Sequence, residues 1–123
     1  MSTESSVRVG IVGLGNIGHH HADRLADLGA TLVGGLDIQA DARRGFAEKY
    51  DVNTYEEKTA LFEKVDAVVI TTPNRFHEEY ATSALSAGLD VLLEKPLAHT
   101  LDSAERIADT ASDADGFCMV GFN

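Results

Sequence analysis

Near the start of the chain, an apolar run of Val7, Val9, Ile11 and Val12 ends at Gly13, and Gly13-Leu14-Gly15-Asn16-Ile17-Gly18 follows it. A G-x-G-x-x-G alone is weak evidence where 11 of 123 residues are glycine. Between a strand and a helix it is far more restrictive, because it then describes one kind of turn. The first glycine permits the tight turn, the second lets a phosphate approach the backbone, and the third lets the helix pack close to the strand. Unsatisfied N–H groups at the positive end of the helix dipole would hold a pyrophosphate. Gly13, Gly15, Asn16, Ile17 and Gly18 are therefore candidate dinucleotide-binding residues; the plainer alternative is a strand–turn–helix glycine cluster with no ligand.

The rest of the chain keeps the same alternation. Ile17, His21, Leu25 and Leu28 recur at helical spacing, with Gly29 placed to stop that helix. Thr31 to Leu36 is a second apolar run closing on Asp37, and Ala42, Phe46 and Tyr50 mark one face of a second helix. Val52 to Tyr55 reads as a short strand and Thr59 to Lys64 as a short helix. Ala67-Val68-Val69-Ile70 is unalternated and β-branched, as suits a parallel strand covered on both faces. Phe76, Tyr80 and Ala84, with Ala81 and Leu85 beside them, predict a helix ended by Gly88. Val91-Leu92-Leu93 is a fifth strand, Leu101-Ala104-Ala108-Ala111 a further helix face, and Phe117 to Phe122 a last strand. Strand–helix alternation with short connections implies an α/β fold, a doubly wound parallel sheet of about six strands in the order 3-2-1-4-5-6. Ligands of such sheets bind outside the carboxyl ends of the strands, where Gly13, Asp37, Thr71-Thr72-Pro73-Asn74 and Glu94-Lys95-Pro96 fall.

Composition narrows the partners. Twenty Asp and Glu against ten Lys and Arg give a formal charge of −10, and no basic cluster offsets it. Such a chain is a poor partner for nucleic acid or an anionic membrane surface. The excess charge is also what a salt-rich cytoplasm would favour; an acidic mesophilic protein is the alternative. No apolar stretch approaches the roughly 20 residues that span a bilayer. The polar start, Met1 to Ser6, lacks the regions of a signal peptide. A lone cysteine, Cys118, fits a reducing compartment and, within Phe117-Cys118-Met119-Val120, a buried, inert thiol. These features point to a soluble cytoplasmic protein.

Asp37 lies 19 residues beyond Gly18, at the end of the second strand. A carboxylate there accepts hydrogen bonds from adenosine ribose hydroxyls and repels a 2′-phosphate, which favours NAD over NADP. Arg43 and Arg44 follow on the next helix, and either one folded back to Asp37 would let the phosphate be tolerated. His19, His20 and His21 invite a metal site, but consecutive helical residues point about 100° apart and cannot converge on one ion. No metal is expected. Glu94 and Lys95 point to opposite faces of their strand. A lysine at a strand's carboxyl end, beside a bound nicotinamide, can hydrogen-bond a substrate hydroxyl and assist its deprotonation, provided its own pKa is lowered. Pro96 would fix the turn that aims Lys95, by way of a cis bond if one forms there. A solvated loop lysine is the alternative.

Three segments resemble the Gfo/Idh/MocA oxidoreductases: the glycine motif, Thr71-Thr72-Pro73-Asn74 with His77, and Ala87-Gly88-Leu89-Asp90-Val91-Leu92-Leu93-Glu94-Lys95-Pro96-Leu97-Ala98. The ending Val120-Gly121-Phe122-Asn123 is similar too, so the likeness runs through nearly the whole chain. The resemblance implies an NAD- or NADP-dependent oxidoreductase acting at a hydroxyl carbon of a sugar, inositol or related polyol. It implies that Lys95 is the catalytic lysine, and that Thr71, Thr72, Pro73, Asn74 and His77 form the loop along the cofactor. Glu94 and Asn123 then match positions near the nicotinamide. The family follows this domain with a second α/β domain that supplies further catalytic residues and the sugar pocket. Residues 1–123 are accordingly expected to be the dinucleotide-binding domain only, binding cofactor without turnover, with any homo-oligomer belonging to the full-length protein. A non-catalytic dinucleotide sensor of the same fold is the competing reading, against which Lys95 argues; an amino-acid or imine dehydrogenase is a third, which the E-K-P segment disfavours.

Overall fold

The computed structural model describes residues 7–94 and 100–120. Among the described residues, six strands alternate with five helices: β1 (Arg8–Val12), α1 (Asn16–Asp27), β2 (Thr31–Leu36), α2 (Ala40–Tyr50), β3 (Asn53–Tyr55), α3 (Lys58–Phe62), β4 (Ala67–Ile70), α4 (His77–Ser86), β5 (Asp90–Leu93), α5 (Leu101–Asp113) and β6 (Cys118–Val120). A 3₁₀ turn, Asn74–Phe76, precedes α4. The strands form one sheet in the order β3-β2-β1-β4-β5-β6, and each neighbouring pair is parallel. The chain winds outward from β1 to β3 and then returns past β1 to lay down β4. The crevice between the carboxyl ends of β1 and β4 is thus the topological switch point, where such sheets bind ligands.

Both faces of the sheet are covered. Val12, Leu36, Val68, Ile70, Val91 and Leu93 pack with Leu61 and Phe62 of α3, Ala81, Ala84 and Leu85 of α4, and Ile107 of α5. Val9, Ile11 and Val69 point the other way, against Leu14, Ala22 and Leu25 at α1 and Phe46 of α2. Period-two alternation sends neighbouring strand residues to opposite cores, which is why the strands read as unbroken apolar runs.

Two helices sit rotated from the faces that apolar spacing predicts. In α1, Ala22 and Leu25 are buried, whereas Ile17 is 50% and Leu28 77% exposed. The cause is backbone packing: a Cβ at Gly18 would stand 2.1 Å from the Gly13 carbonyl oxygen, so the glycine side must face inward. In α5, Ser103 and Ile107 are buried while Leu101 is 75% exposed. Here the Thr100 hydroxyl caps the helix by accepting from the Ser103 N–H at 3.0 Å. The Ser103 hydroxyl in turn donates to Glu78 at 2.9 Å, so the buried polar group is satisfied. Helix α4 begins one residue after Phe76, and α3 one residue before Thr59. Cys118 is half-buried on the α5 side of β6 rather than fully enclosed, and burial pushes its thiol pKa up.

Candidate dinucleotide site

The glycine loop is built by backbone constraints. Gly13 has φ +101°, and its N–H donates to the Leu36 carbonyl at 2.9 Å, tying the end of β1 to the end of β2. A side chain at Gly13 would press on Thr71 and the Thr72 backbone at about 2.8–3.0 Å. Leu14 is buried and anchors the loop in the core under α1 and α2. Gly15 faces open space, with nothing within 4 Å of where its Cβ would lie. The His19 N–H donates to the Gly15 carbonyl at 3.0 Å, so α1 starts there and its first-turn N–H groups lack intrahelical partners. No acidic residue occupies that first turn.

Asp37 closes the loop from β2. Its Oδ2 accepts from the Leu14 N–H at 2.9 Å, and its Oδ1 accepts from the Gln39 N–H at 2.9 Å. An ionised carboxylate has about four lone-pair sites, so roughly two remain for ribose hydroxyls. The Arg43 guanidinium donates to the Asp37 carbonyl at 2.8 Å, folding back onto the strand end, whereas Arg44 pairs with Asp41.

On the other side of the crevice, the Thr71 hydroxyl donates to the Gly13 carbonyl at 2.7 Å and reaches the Val12 carbonyl at 3.2 Å. Thr71 therefore helps hold the loop. The Thr72 hydroxyl oxygen is buried without a hydrogen-bond partner among the described residues, at the rim of the same crevice. Pro73 is exposed, and its carbonyl accepts from the Phe76 N–H at 2.9 Å in the 3₁₀ turn that Asn74 opens. His77 is 1% exposed, and its Nε2–H donates to the Thr72 carbonyl at 3.0 Å. It supports this loop from beneath.

Glu94 follows β5 directly, on the side of α1, where its carboxylate is hydrogen-bonded to the His21 ring. His19 instead packs edge-on against Phe46, with centroids 5.2 Å apart, and His20 is exposed. Among the described residues, no three His, Cys, Asp or Glu side chains come together as metal ligands. Lys95, Pro96 and Asn123 lie outside the described residues. So does the Lys95–Pro96 bond. His21 is the residue that the sequence reasoning missed. The parity of Leu92 and Glu94 could have signalled it, because both point to the face that α1 covers.

An open glycine, a helix N-terminus without acidic residues, a fixed carboxylate at the end of β2 and an orphaned hydroxyl at the switch point together fit a dinucleotide. Residues 7–122 match the family model for the Gfo/Idh/MocA "Oxidoreductase family, NAD-binding Rossmann fold". The chain belongs to this family. This Gfo/Idh/MocA domain is 32% identical to glucose-6-phosphate 3-dehydrogenase of Bacillus subtilis, over 94% of the chain and 33% of the relative. It is 36% identical to inositol 2-dehydrogenase of Acidothermus cellulolyticus, over 99% of the chain and 38% of that protein. The fold matches myo-inositol 2-dehydrogenase from Lactobacillus plantarum with a TM-score of 0.87 at 27% identity, covering 95% of this chain and 36% of that one. It also matches the WlbA dehydrogenase from Bordetella pertussis, solved with NADH and UDP-GlcNAcA, with a TM-score of 0.89 at 25% identity, covering 94% and 37%. The domain spans about a third of the length of the curated relatives it matches. Among the described residues, no helix is long and apolar enough to cross a membrane.

Proposed function

We propose that this Gfo/Idh/MocA domain is the cofactor-binding part of an NAD(P)-dependent dehydrogenase acting at a hydroxyl carbon of a sugar, inositol or related polyol. The observation that carries the reading is the Asp37 carboxylate, held by the Leu14 and Gln39 N–H groups between the glycine loop and the end of β2. The relatives named above, dehydrogenases of inositol and of glucose 6-phosphate, support the substrate class.

Gly13, Gly15, Asn16, Ile17 and Gly18 would hold the pyrophosphate, and Asp37 the adenosine ribose. Thr71, Thr72, Pro73, Asn74 and His77 would shape the wall of the crevice; Glu94, Pro96 and Asn123 would lie at the nicotinamide end. When bound, the nicotinamide accepts or supplies the hydride. Lys95 exchanges a proton with the substrate hydroxyl, which requires its ammonium to give up the proton near neutral pH. Asp37 favours NAD, and Arg43 at its carbonyl leaves a cation near the 2′ position, so NADP is bound more weakly rather than rejected. The residues that select the substrate, and the contacts that set any homo-oligomer, belong to the remaining two-thirds of a relative-length protein. Cysteine usage supports a cytoplasmic setting, and the charge of −10 supports a salt-rich one. For the latter, a melting temperature that stays flat or falls from low to molar salt is the contrary result.

Titration of the chain with NADH and NADPH tests the cofactor assignment. NADH binds more tightly, and Asp37→Ala weakens it by about tenfold or more through the lost charged hydrogen bonds. Absence of NADH binding would overturn the reading, and tighter NADPH binding the preference. In a version carrying the substrate domain, Lys95→Ala lowers turnover by orders of magnitude; a variant that lost little would favour the sensor.

A further inference from the structure

His21 has no part in the function proposed above, yet it joins two elements that the function must coordinate. The Glu94 N–H donates to the Ile70 carbonyl at 3.2 Å, so Glu94 continues the ladder at the carboxyl end of β5 beside β4. Alternation sends Val91 and Leu93 toward α4 and α5, and Leu92 and Glu94 toward α1. The second turn of α1 brings the His21 ring over that end, with Nε2 bonded to Glu94 Oε2 across 73 positions of sequence. The two side chains are 20% and 12% exposed. A carboxylate oxygen accepts, so the His21 ring donates from Nε2. Among the described residues, the other carboxylate oxygen, Oε1, has no donor.

The strand order gives this contact a direction. Asp37 places the adenosine end of a dinucleotide over β2, and the glycine loop places the phosphates over β1. The second nucleoside then lies over β4 and β5, where Glu94 sits. We propose that His21 is a positioning residue: it fixes the Glu94 carboxylate at the end of β5 and so links the helix that holds the phosphates to the strand end that meets the second nucleoside. This rests on the dinucleotide reading above. It adds a residue that touches neither cofactor nor substrate. Held by His21, Glu94 keeps Oε1 to accept from a hydroxyl of that second nucleoside. Without His21, the flexible Glu94 side chain turns toward solvent and that acceptor is lost.

The test uses the 123-residue chain and two probes. NADH carries both nucleosides, whereas ADP carries the adenosine and both phosphates but lacks the second nucleoside. His21→Ala weakens NADH binding by about tenfold, the worth of one charge-assisted hydrogen bond, and leaves ADP binding within about twofold. His21→Gln, which puts an N–H donor near the place of Nε2, restores NADH affinity. In a Glu94→Ala background, His21→Ala has no further effect. Independently, the imidazole nitrogen spectrum of the otherwise unaltered chain shows a protonated, hydrogen-bonded Nε2 whose signal moves on Glu94→Ala. Equal weakening of NADH and ADP would make His21 a structural prop of α1 and overturn the proposal. It is also overturned by an unchanged NADH affinity, by undiminished losses in the Glu94→Ala background, or by an imidazole signal indifferent to Glu94. If the parent chain binds neither probe, the dinucleotide reading itself fails, a result distinct from each of these.

Discussion

The two faces of the sheet use the same kinds of residue to different ends. On the α3, α4 and α5 side, one apolar core runs from Leu36 to Leu93 and meets Ile107. The polar groups buried there, His77 and Ser103, are matched to fixed partners: the Thr72 carbonyl for one, and the Glu78 carboxylate, also gripped by Arg106, for the other. On the α1 and α2 side, the core gathers around β1, β2 and β4. Toward β6 it thins: Met119, which pairs with Leu92 on that face, is 54% exposed. That is also the face on which His21 meets Glu94. One face carries the larger apolar core; the other carries the helix whose N-terminus frames the proposed dinucleotide site. The larger buried apolar cluster lies on the face opposite that helix.

Substitutions can break that division. Leu85→Ala, in the larger buried cluster, costs about 2–5 kcal/mol of stability in urea unfolding, and the folded fraction still binds NADH with its original affinity. A parallel loss of affinity would show that the two faces are not separable. Gly18→Ala sets a Cβ against the Gly13 carbonyl, so the loop must shift; stability falls by about 1–3 kcal/mol and NADH affinity falls with it. Stability lost with binding intact would mean that the loop geometry does not govern the ligand.

Tyr50 sharpens the comparison at smaller scale. Its hydroxyl lies within hydrogen-bond distance of the His19 carbonyl, at 2.9 Å, and of Asp23, at 2.7 Å, joining α2 to α1. Burial, the hydrogen bond to Asp23 and the Asp23 charge push its pKa up to about 12. The folded state therefore holds this proton more tightly than the unfolded chain, whose tyrosine titrates near 10. The contribution is fully present below pH 10 and is lost as pH rises toward about 12. Tyr50→Phe lowers stability by about 1 kcal/mol at neutral pH and removes this part of the alkaline decline, read by denaturant titration across that range. Met119→Gln, on the thinly covered side, changes stability by no more than about 0.5 kcal/mol. A larger loss would show that this side is packed after all.

Much of the fold was legible because period-two runs and glycine punctuation are local signals. Ala67–Ile70, Val91–Leu93 and the glycine motif each declared an element and its end, and the strand order followed from parallel winding. Helix faces were less legible. Apolar spacing put Ile17 and Leu28 inward on α1 and Leu101 inward on α5, whereas the structure exposes all three. Close contact at Gly18 and the capped, hydrogen-bonded Ser103 outweighed side-chain hydrophobicity. In the site, Asp37 was readable from its distance to the glycines. That its carboxylate holds the loop through the Leu14 N–H was not, because that bond depends on where two strand ends meet.

The sequence by itself determined the alternation of strands and helices and the glycine loop between β1 and α1, because each rests on residues close together along the chain. Only the tertiary structure decided which way Arg43 folds, what lies beneath Thr72 and which histidine meets Glu94. Those contacts join residues brought together when helices settle on a sheet, and for α1 the face turned toward the sheet is set by close backbone approach at Gly18.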